Sequence, residues 1–138
     1  MIMSQKKLTM ADYAVLADFR HALRQFQAFS EAQAVAVGLT PQQHQALLAI
    51  KAAAADGATV GFLAERLILK PHSASGLVDR MASMGLIERI ASPTDRRAIG
   101  LHLTDKAEEL LSDLSAIHRS EIREIRPLLL GLLEKIDC

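Results

Sequence analysis

The fold of this 138-residue chain is decided by residues 70–80, whose sequence is KPHSASGLVDR. Ala74, Leu77 and Val78 recur there at the i, i+3, i+4 spacing that places side chains on one face of a helix. We predict that this helix runs over residues 72–84 and buries those three side chains. Its opposite face then carries small polar side chains that remain accessible.

A shorter helix is predicted just before this one, over residues 62–67, FLAERL, with Leu63 and Leu67 facing inward. Lys70-Pro71 then interrupts the pattern, so that a short helix, a turn and a longer helix follow one another, as in a helix-turn-helix. The second helix of such a pair, the recognition helix, enters the major groove of duplex DNA. That groove is about 12 Å wide and favours slim, hydrogen-bonding side chains. The residues predicted to contact DNA from this region are Lys70, His72, Ser73, Ser75, Gly76 and Arg80.

A β-hairpin is predicted next, over residues 86–103, with a charged turn at residues 92–97, SPTDRR. Within this turn, the Asp95 carboxylate can hold the Arg97 guanidinium in an extended pose through charge-assisted hydrogen bonds. An arginine held in this way suits a narrow minor groove, where the potential is most negative. Taken alone, the turn is equally well explained as an ordinary solvated hairpin. Its position directly after a helix-turn-helix favours a DNA-binding wing.

Amphipathic helices flank this middle region. The first is predicted over residues 9–37 and the second from Thr40 toward Ala55, with a capping box at its start. The last helical region begins at Thr104, and we expect Pro127 to kink or break it, so that a new short helix follows. The two amphipathic ends of the chain are expected to meet those of a second copy in a dimer.

The overall charge is zero, with sixteen basic and sixteen acidic side chains. Residues 61–106 nevertheless hold seven basic against five acidic side chains, which permits a local DNA-binding surface. No apolar run approaches the roughly 18 residues that cross a membrane. No secretory signal is evident near the start, so we expect a cytoplasmic protein without a membrane partner.

Other function classes find less support in the sequence. It contains no Gly-rich phosphate loop and no Gly-x-Ser-x-Gly motif, so an enzyme is not expected. Cys138 is the single cysteine, and the five histidines lack the close helical spacing of metal ligands, so neither a metal site nor a cofactor is predicted. A metal-responsive DNA-binding regulator and a protein-interaction module that does not bind DNA remain as alternatives.

Several stretches of the chain, in this order, resemble the multiple-antibiotic-resistance regulator (MarR) family. They are Leu39-Thr40-Pro41-Gln42-Gln43, Leu63-Ala64-Glu65-Arg66-Leu67, Ser73-Ala74-Ser75-Gly76-Leu77-Val78-Asp79-Arg80, Gly85-Leu86-Ile87-Glu88-Arg89, Asp95-Arg96-Arg97 and Leu103-Thr104. The resemblance implies an obligate dimer with a winged helix-turn-helix in each subunit. It also implies gene repression, relieved in many members when a small, often aromatic, molecule binds between the dimerisation and DNA-binding regions.

By position, the resemblance makes residues 72–76 the base-reading segment and Arg97 the wing-tip arginine, oriented by Asp95. It places Arg96 near a phosphate. The sequence departs from the family pattern at Ile68, where many members carry glycine, so we expect a strained or different turn there. It departs again at Gly76, where many members carry a polar or basic residue.

Together these inferences predict a mainly α protein with a small β-hairpin wing (α+β), a winged helix-turn-helix with dimerisation helices at both ends. We expect one domain over residues 1–138, with dimerisation helices at 9–37 and 104–138 and the DNA-binding region at 40–103. The expected partners are a second copy of the chain, a pseudo-palindromic duplex operator and a small effector. The effector pocket is predicted at Phe19, Phe26 and His44.

Overall fold

The computed structural model describes residues 7–53, 57–95 and 97–136. Five helices and a two-stranded antiparallel sheet are found there, so the predicted class of a mainly α protein with a β-hairpin is confirmed. In chain order the elements are α1 Met10–Ala36, α2 Pro41–Ala52, α3 Val60–Leu67, α4 Pro71–Ser83, β1 Ile87–Ala91, β2 Ile99–Leu103 and α5 Asp105–Lys135. The predicted contact at Arg96, the predicted end of the second helix at Ala55 and the thiol of Cys138 lie outside the described residues.

The chain divides into two compact units, residues 31–116, and residues 1–30 together with 117–138. The first unit is built on a continuous apolar core to which α2, α3, α4, the hairpin and the start of α5 contribute. Its fully buried large side chains are Leu47, Leu63, Leu77, Val78, Met81, Leu86, Leu101 and Leu114. The inner face predicted for α4 is therefore confirmed.

The starts of α2 and α3 are set by capping threonines. Thr40 and Gln43 form the predicted capping box, in which each side chain accepts a hydrogen bond from the other's backbone N–H, at 3.0 and 3.1 Å. Thr59 accepts a hydrogen bond of 3.0 Å from the N–H of Phe62 and so begins α3 at Val60. The start predicted for this helix at Phe62 is two residues late, because the cap begins the helix at Val60. Extended pairing is limited there to a single bridge between Ala58 and Leu101.

The expectation that Pro127 breaks the last helix is also wrong, since α5 continues through it to Lys135. Proline has no N–H to donate to the carbonyl of Arg123, one turn earlier. The helix therefore lacks this one hydrogen bond and still continues over the following two turns.

The second unit contains a histidine buried among aromatic rings. The side chain of His118 is hydrogen-bonded to the hydroxyl of Ser30 at 2.7 Å. The rings of Phe26 and Phe29 meet its imidazole edge to face, with ring centroids 6.0 and 5.7 Å away. Among the described residues, no helix is both long and apolar enough to cross a bilayer.

Candidate nucleic-acid interface

The turn between α3 and α4 is a Schellman motif centred on Ile68. The N–H of Leu69 donates to the carbonyl of Ala64 at 2.8 Å, and the N–H of Ile68 donates to the carbonyl of Glu65 at 3.3 Å. This pair of bonds requires a left-handed residue at position 68, and Ile68 has φ 55° and ψ 52°. The strain predicted from an isoleucine at this position is therefore confirmed, since β-branched side chains are rarely found in that conformation.

The outer face of α4 presents the predicted recognition residues. His72, Ser73, Ser75 and Arg80 are exposed, as is Lys70, which occupies the N-cap position of the helix without a capping hydrogen bond from its side chain. Gly76 is half-buried, because the guanidinium of Arg80, one turn later, extends over it. A Cβ placed on Gly76 would lie 3.6 Å from Arg80 Nη1. The helix thus turns short polar groups toward the outside, and Gly76 adds no side chain among them.

This outer face is held by a rigid inner face. Ala74, Leu77, Val78 and Met81, the inner residues of α4, are each 2% exposed or less. At the far end of the helix, the Lys106 ammonium donates to the carbonyl of Met84 at 3.0 Å, where a cation also suits the helix dipole. The recognition helix is therefore anchored along its length and at its carboxyl end.

Strands β1 and β2 form the wing, defined as residues 87–103. The strands pair antiparallel from Ile87 with Leu103 to Ala91 with Ile99. The buried hydroxyl of Ser92 accepts from the N–H of Thr94 and of Asp95, both at 3.3 Å, which organises the turn between the strands. The tip of the wing is therefore held by local hydrogen bonds.

The contact between Asp95 and Arg97 differs from the predicted one. The carboxylate of Asp95 accepts from the backbone N–H of Arg97 at 3.0 Å, as in an Asx turn, and this contact fixes the backbone of the arginine. The predicted partner of the carboxylate was the guanidinium. The reason is spacing, since an N–H two residues later lies within reach of a short aspartate. Arg97 is exposed, so its side chain can extend outward from a fixed backbone.

An ion pair that the sequence did not indicate joins the recognition helix to the wing. Arg89 on β1 donates through Nη2 to the carboxylate of Asp79 on α4. Both residues belong to the motifs that carried the family resemblance, but nothing in their spacing indicated that they meet. The pair links the orientation of the wing to that of α4.

A second connection starts at Thr104, the residue before α5. Its hydroxyl donates to the carbonyl of Gly85 at 2.6 Å, and its N–H donates to the carbonyl of Leu86 at 3.1 Å. The same hydroxyl accepts from the N–H of Ala107 at 3.3 Å and so caps α5. One threonine thus joins the end of the recognition helix, the base of the wing and the start of α5.

The residues predicted for an effector pocket fall in separate units. Phe19 and Phe26 are half-buried in one unit, and His44 is buried in the other. This pocket stays a prediction. Within the described ranges, no three His, Cys, Asp or Glu side chains gather as metal ligands.

Comparison with known proteins gives concordant results. A MarR family model matches residues 37–98. The HTH-type transcriptional repressor MdtR of Bacillus subtilis is 37% identical over an alignment of 84 residues that covers 58% of this chain and 53% of MdtR. The chain thus spans about half the length of the curated relatives it matches.

Two solved structures resemble the chain over most of its length. AbsC, a MarR family transcriptional regulator from Streptomyces coelicolor, has a TM-score of 0.71 and 20% identity, over 87% of this chain and 81% of AbsC. The transcriptional repressor CouR, bound to a 23-mer DNA duplex, has a TM-score of 0.66 and 25% identity, over 94% of this chain and 97% of CouR. Residues 37–98, which hold α2, α3, α4 and β1, therefore match the MarR family model, and the chain shares its fold with these MarR-type structures.

Proposed function

We propose that this chain is a sequence-specific regulator of transcription that binds duplex DNA as a homodimer. The observation that carries the proposal is the outer face of α4, where short hydrogen-bonding side chains stand exposed on a helix with a fully buried inner face. Such a helix can enter the major groove without clashing and without shifting on its own core. The likeness to CouR, which is described bound to DNA, supports the same conclusion.

The proposed contacts divide by chemistry. His72, Ser73 and Ser75 are assigned to base edges, because their side chains can donate and accept hydrogen bonds. Lys70 and Arg80 flank them and are assigned to phosphates. Gly76 allows the backbone of α4 to approach the groove closely.

The wing supplies the second contact. Arg97 is assigned to the minor groove, and Asp95 orients it through the backbone hydrogen bond. Arg96 completes the proposed contacts from its sequence position alone. Because the local excess of positive charge is small, we expect binding to depend on these few groups and to weaken steeply with salt.

We also propose that residues 9–37 and 104–138 are dimerisation regions around a DNA-binding region at 40–103. Several large apolar side chains of the unit formed by residues 1–30 and 117–138 are at least 40% exposed within one chain, and a second copy would cover them. They are Leu8, Met10, Tyr13, Leu16, Leu23, Ile117, Ile122, Leu128, Leu130, Leu133 and Ile136. Two recognition helices then read half-sites about 10 base pairs, or roughly 34 Å, apart.

The regulator is proposed to act as a repressor in the cytoplasm, where a small aromatic molecule releases it from DNA. MdtR is described as a repressor, and that description supports the sign of regulation. We do not expect catalysis, because the fold and the family are those of transcriptional regulators. A thermal-shift screen of small aromatic acids tests the effector. A specific increase in Tm supports it, and a screen without any response counts against it.

The experiment that tests DNA binding selects bound sequences from a random duplex pool and then measures affinity for the selected duplex. Arg97→Ala is compared with Arg119→Ala, which removes an equal charge from an exposed position on α5. We expect Arg97→Ala to weaken binding about tenfold or more and Arg119→Ala to have little effect. If the wild-type protein binds no duplex at low salt, the proposed function is wrong.

A further inference from the structure

Ile68 combines two features that are unfavourable for an isolated protein. Its backbone is left-handed, with φ 55°, and it is the only described residue other than glycine with a positive φ. Its side chain is 93% exposed, the highest value among the exposed large hydrophobic residues of the described chain. A β-branched side chain thus occupies a strained turn position and gains almost no burial within the described residues.

The left-handed backbone at position 68 has a structural reason, but no contact among the described residues explains why the side chain there is isoleucine. The Schellman bonds from Leu69 to Ala64 and from Ile68 to Glu65 require a left-handed residue at position 68. Glycine or asparagine would meet that requirement with less strain than isoleucine. The exposed isoleucine side chain is therefore best explained by a surface that contacts it from outside.

The surroundings of Ile68 indicate what that surface is. Two residues before it lies Arg66, and two residues after it lies Lys70, both exposed and both cationic. Ile68 also precedes the amino end of α4, the end from which a recognition helix reaches base edges. An apolar side chain between two cations suits a nucleic acid, whose phosphates alternate with apolar sugar and base carbons.

We propose that Ile68 is a DNA-contacting residue that packs its side chain against apolar carbons of the duplex at the edge of the major groove. The proposal rests on the DNA-binding function proposed above and adds an apolar DNA-contacting residue to it. The apolar groups within reach of such a side chain are deoxyribose carbons and the thymine methyl group, the latter of which marks sequence.

The test measures affinity and thermal stability of Ile68→Asn and Ile68→Leu on the duplex selected from the random pool. Asparagine tolerates the left-handed backbone and removes the apolar surface, whereas leucine keeps that surface. We expect Ile68→Asn to weaken binding about tenfold, because a substantial part of a buried aliphatic side chain is lost from the interface. Ile68→Leu is expected to stay within about threefold of the wild-type protein.

Two further readouts separate this role from a structural one. The Tm of Ile68→Asn should be the same as that of the wild type or up to about 2–4 °C higher, because the backbone strain at position 68 is relieved. The dependence of affinity on salt should be unchanged, because no phosphate contact is removed. A lower Tm, or wild-type affinity in Ile68→Asn, would overturn the proposal while leaving DNA binding by the wild-type protein intact.

A duplex with uracil in place of thymine identifies the group contacted. If the thymine methyl is the partner, the wild-type protein binds this duplex more weakly than the thymine duplex. Its higher affinity relative to Ile68→Asn is then lost. If deoxyribose is the partner, the advantage persists on both duplexes. If the wild-type protein binds neither duplex, the proposed function has failed, and the contact assigned to Ile68 fails with it.

Discussion

Replacing Gly57 by alanine should destabilise the protein more than the same change at another glycine with a positive φ. Gly57 has φ +87° and lies next to Ala58, whose carbonyl accepts from the N–H of Leu101 at 2.7 Å. A Cβ at Gly57 would lie 2.6 Å from His102 Nε2, 2.9 Å from His102 Cε1 and 3.0 Å from the carbonyl oxygen of Leu101. Such distances are below ordinary van der Waals contact, so the His102 ring must turn away and the carbonyl of Leu101 must yield by a few tenths of an ångström.

The magnitude follows from two contributions. A left-handed non-glycine residue costs roughly 1–2 kcal/mol. Forcing extra atoms into a packed site costs about 1–3 kcal/mol more. Restricting the unfolded chain offsets roughly 0.4–1 kcal/mol of this. We therefore expect Gly57→Ala to lower the free energy of unfolding by about 2–4 kcal/mol, a large part of the roughly 5–15 kcal/mol typical of a domain.

Gly85→Ala is the matched control, because Gly85 has φ +74° and nothing lies within 4 Å of its added Cβ. It should lower the free energy of unfolding by only about 1 kcal/mol, from backbone strain alone. Urea or thermal unfolding at one fixed protein concentration measures both variants, since dimerisation makes stability depend on concentration. Combining Gly57→Ala with His102→Ala should recover the part of the stability loss that comes from the clash with the His102 ring. Equal losses in Gly57→Ala and Gly85→Ala would refute the steric argument.

Three further predictions concern the recognition helix and α5. Gly76→Ala should raise the free energy of unfolding by about 1 kcal/mol, because alanine has the higher helix propensity and its Cβ meets only Arg80 Nη1, at 3.6 Å. The same variant should bind the selected duplex more weakly in titrations. An unchanged affinity would show that the backbone does not approach the groove at Gly76. Asp79→Asn removes the ion pair with Arg89, whose two side chains are 70% and 40% exposed, so stability should fall by less than about 1 kcal/mol. The ratio of specific to nonspecific affinity at fixed salt should fall as well, and an unchanged ratio would argue against a positioning role. Pro127→Ala restores a backbone N–H within α5, so it should raise the free energy of unfolding, measured by chemical denaturation, by about 2 kcal/mol. A decrease would mean that the proline is needed for packing.

Much of the candidate interface was predictable because it depends on short-range patterns. The exposure of His72, Ser73 and Ser75 follows from helical periodicity over two turns, and the burial of Leu77 and Val78 follows from the same periodicity. Two local predictions differ from the structure, the break expected at Pro127 and the start of α3 expected at Phe62. In the first case one lost hydrogen bond did not outweigh the remaining helix. In the second, the Thr59 cap begins the helix two residues earlier.

The sequence by itself determined most of the helices and the hairpin, together with the inner and outer faces of the recognition helix. Each of these depends on the conformational preferences of residues within a turn or two of one another. The tertiary structure alone decided which distant groups meet. Asp79 pairs with Arg89, Thr104 holds the end of α4, and His102 lies over Gly57. These contacts depend on how helices and strands pack around one core, and the spacing of residues in the sequence does not by itself predict that packing.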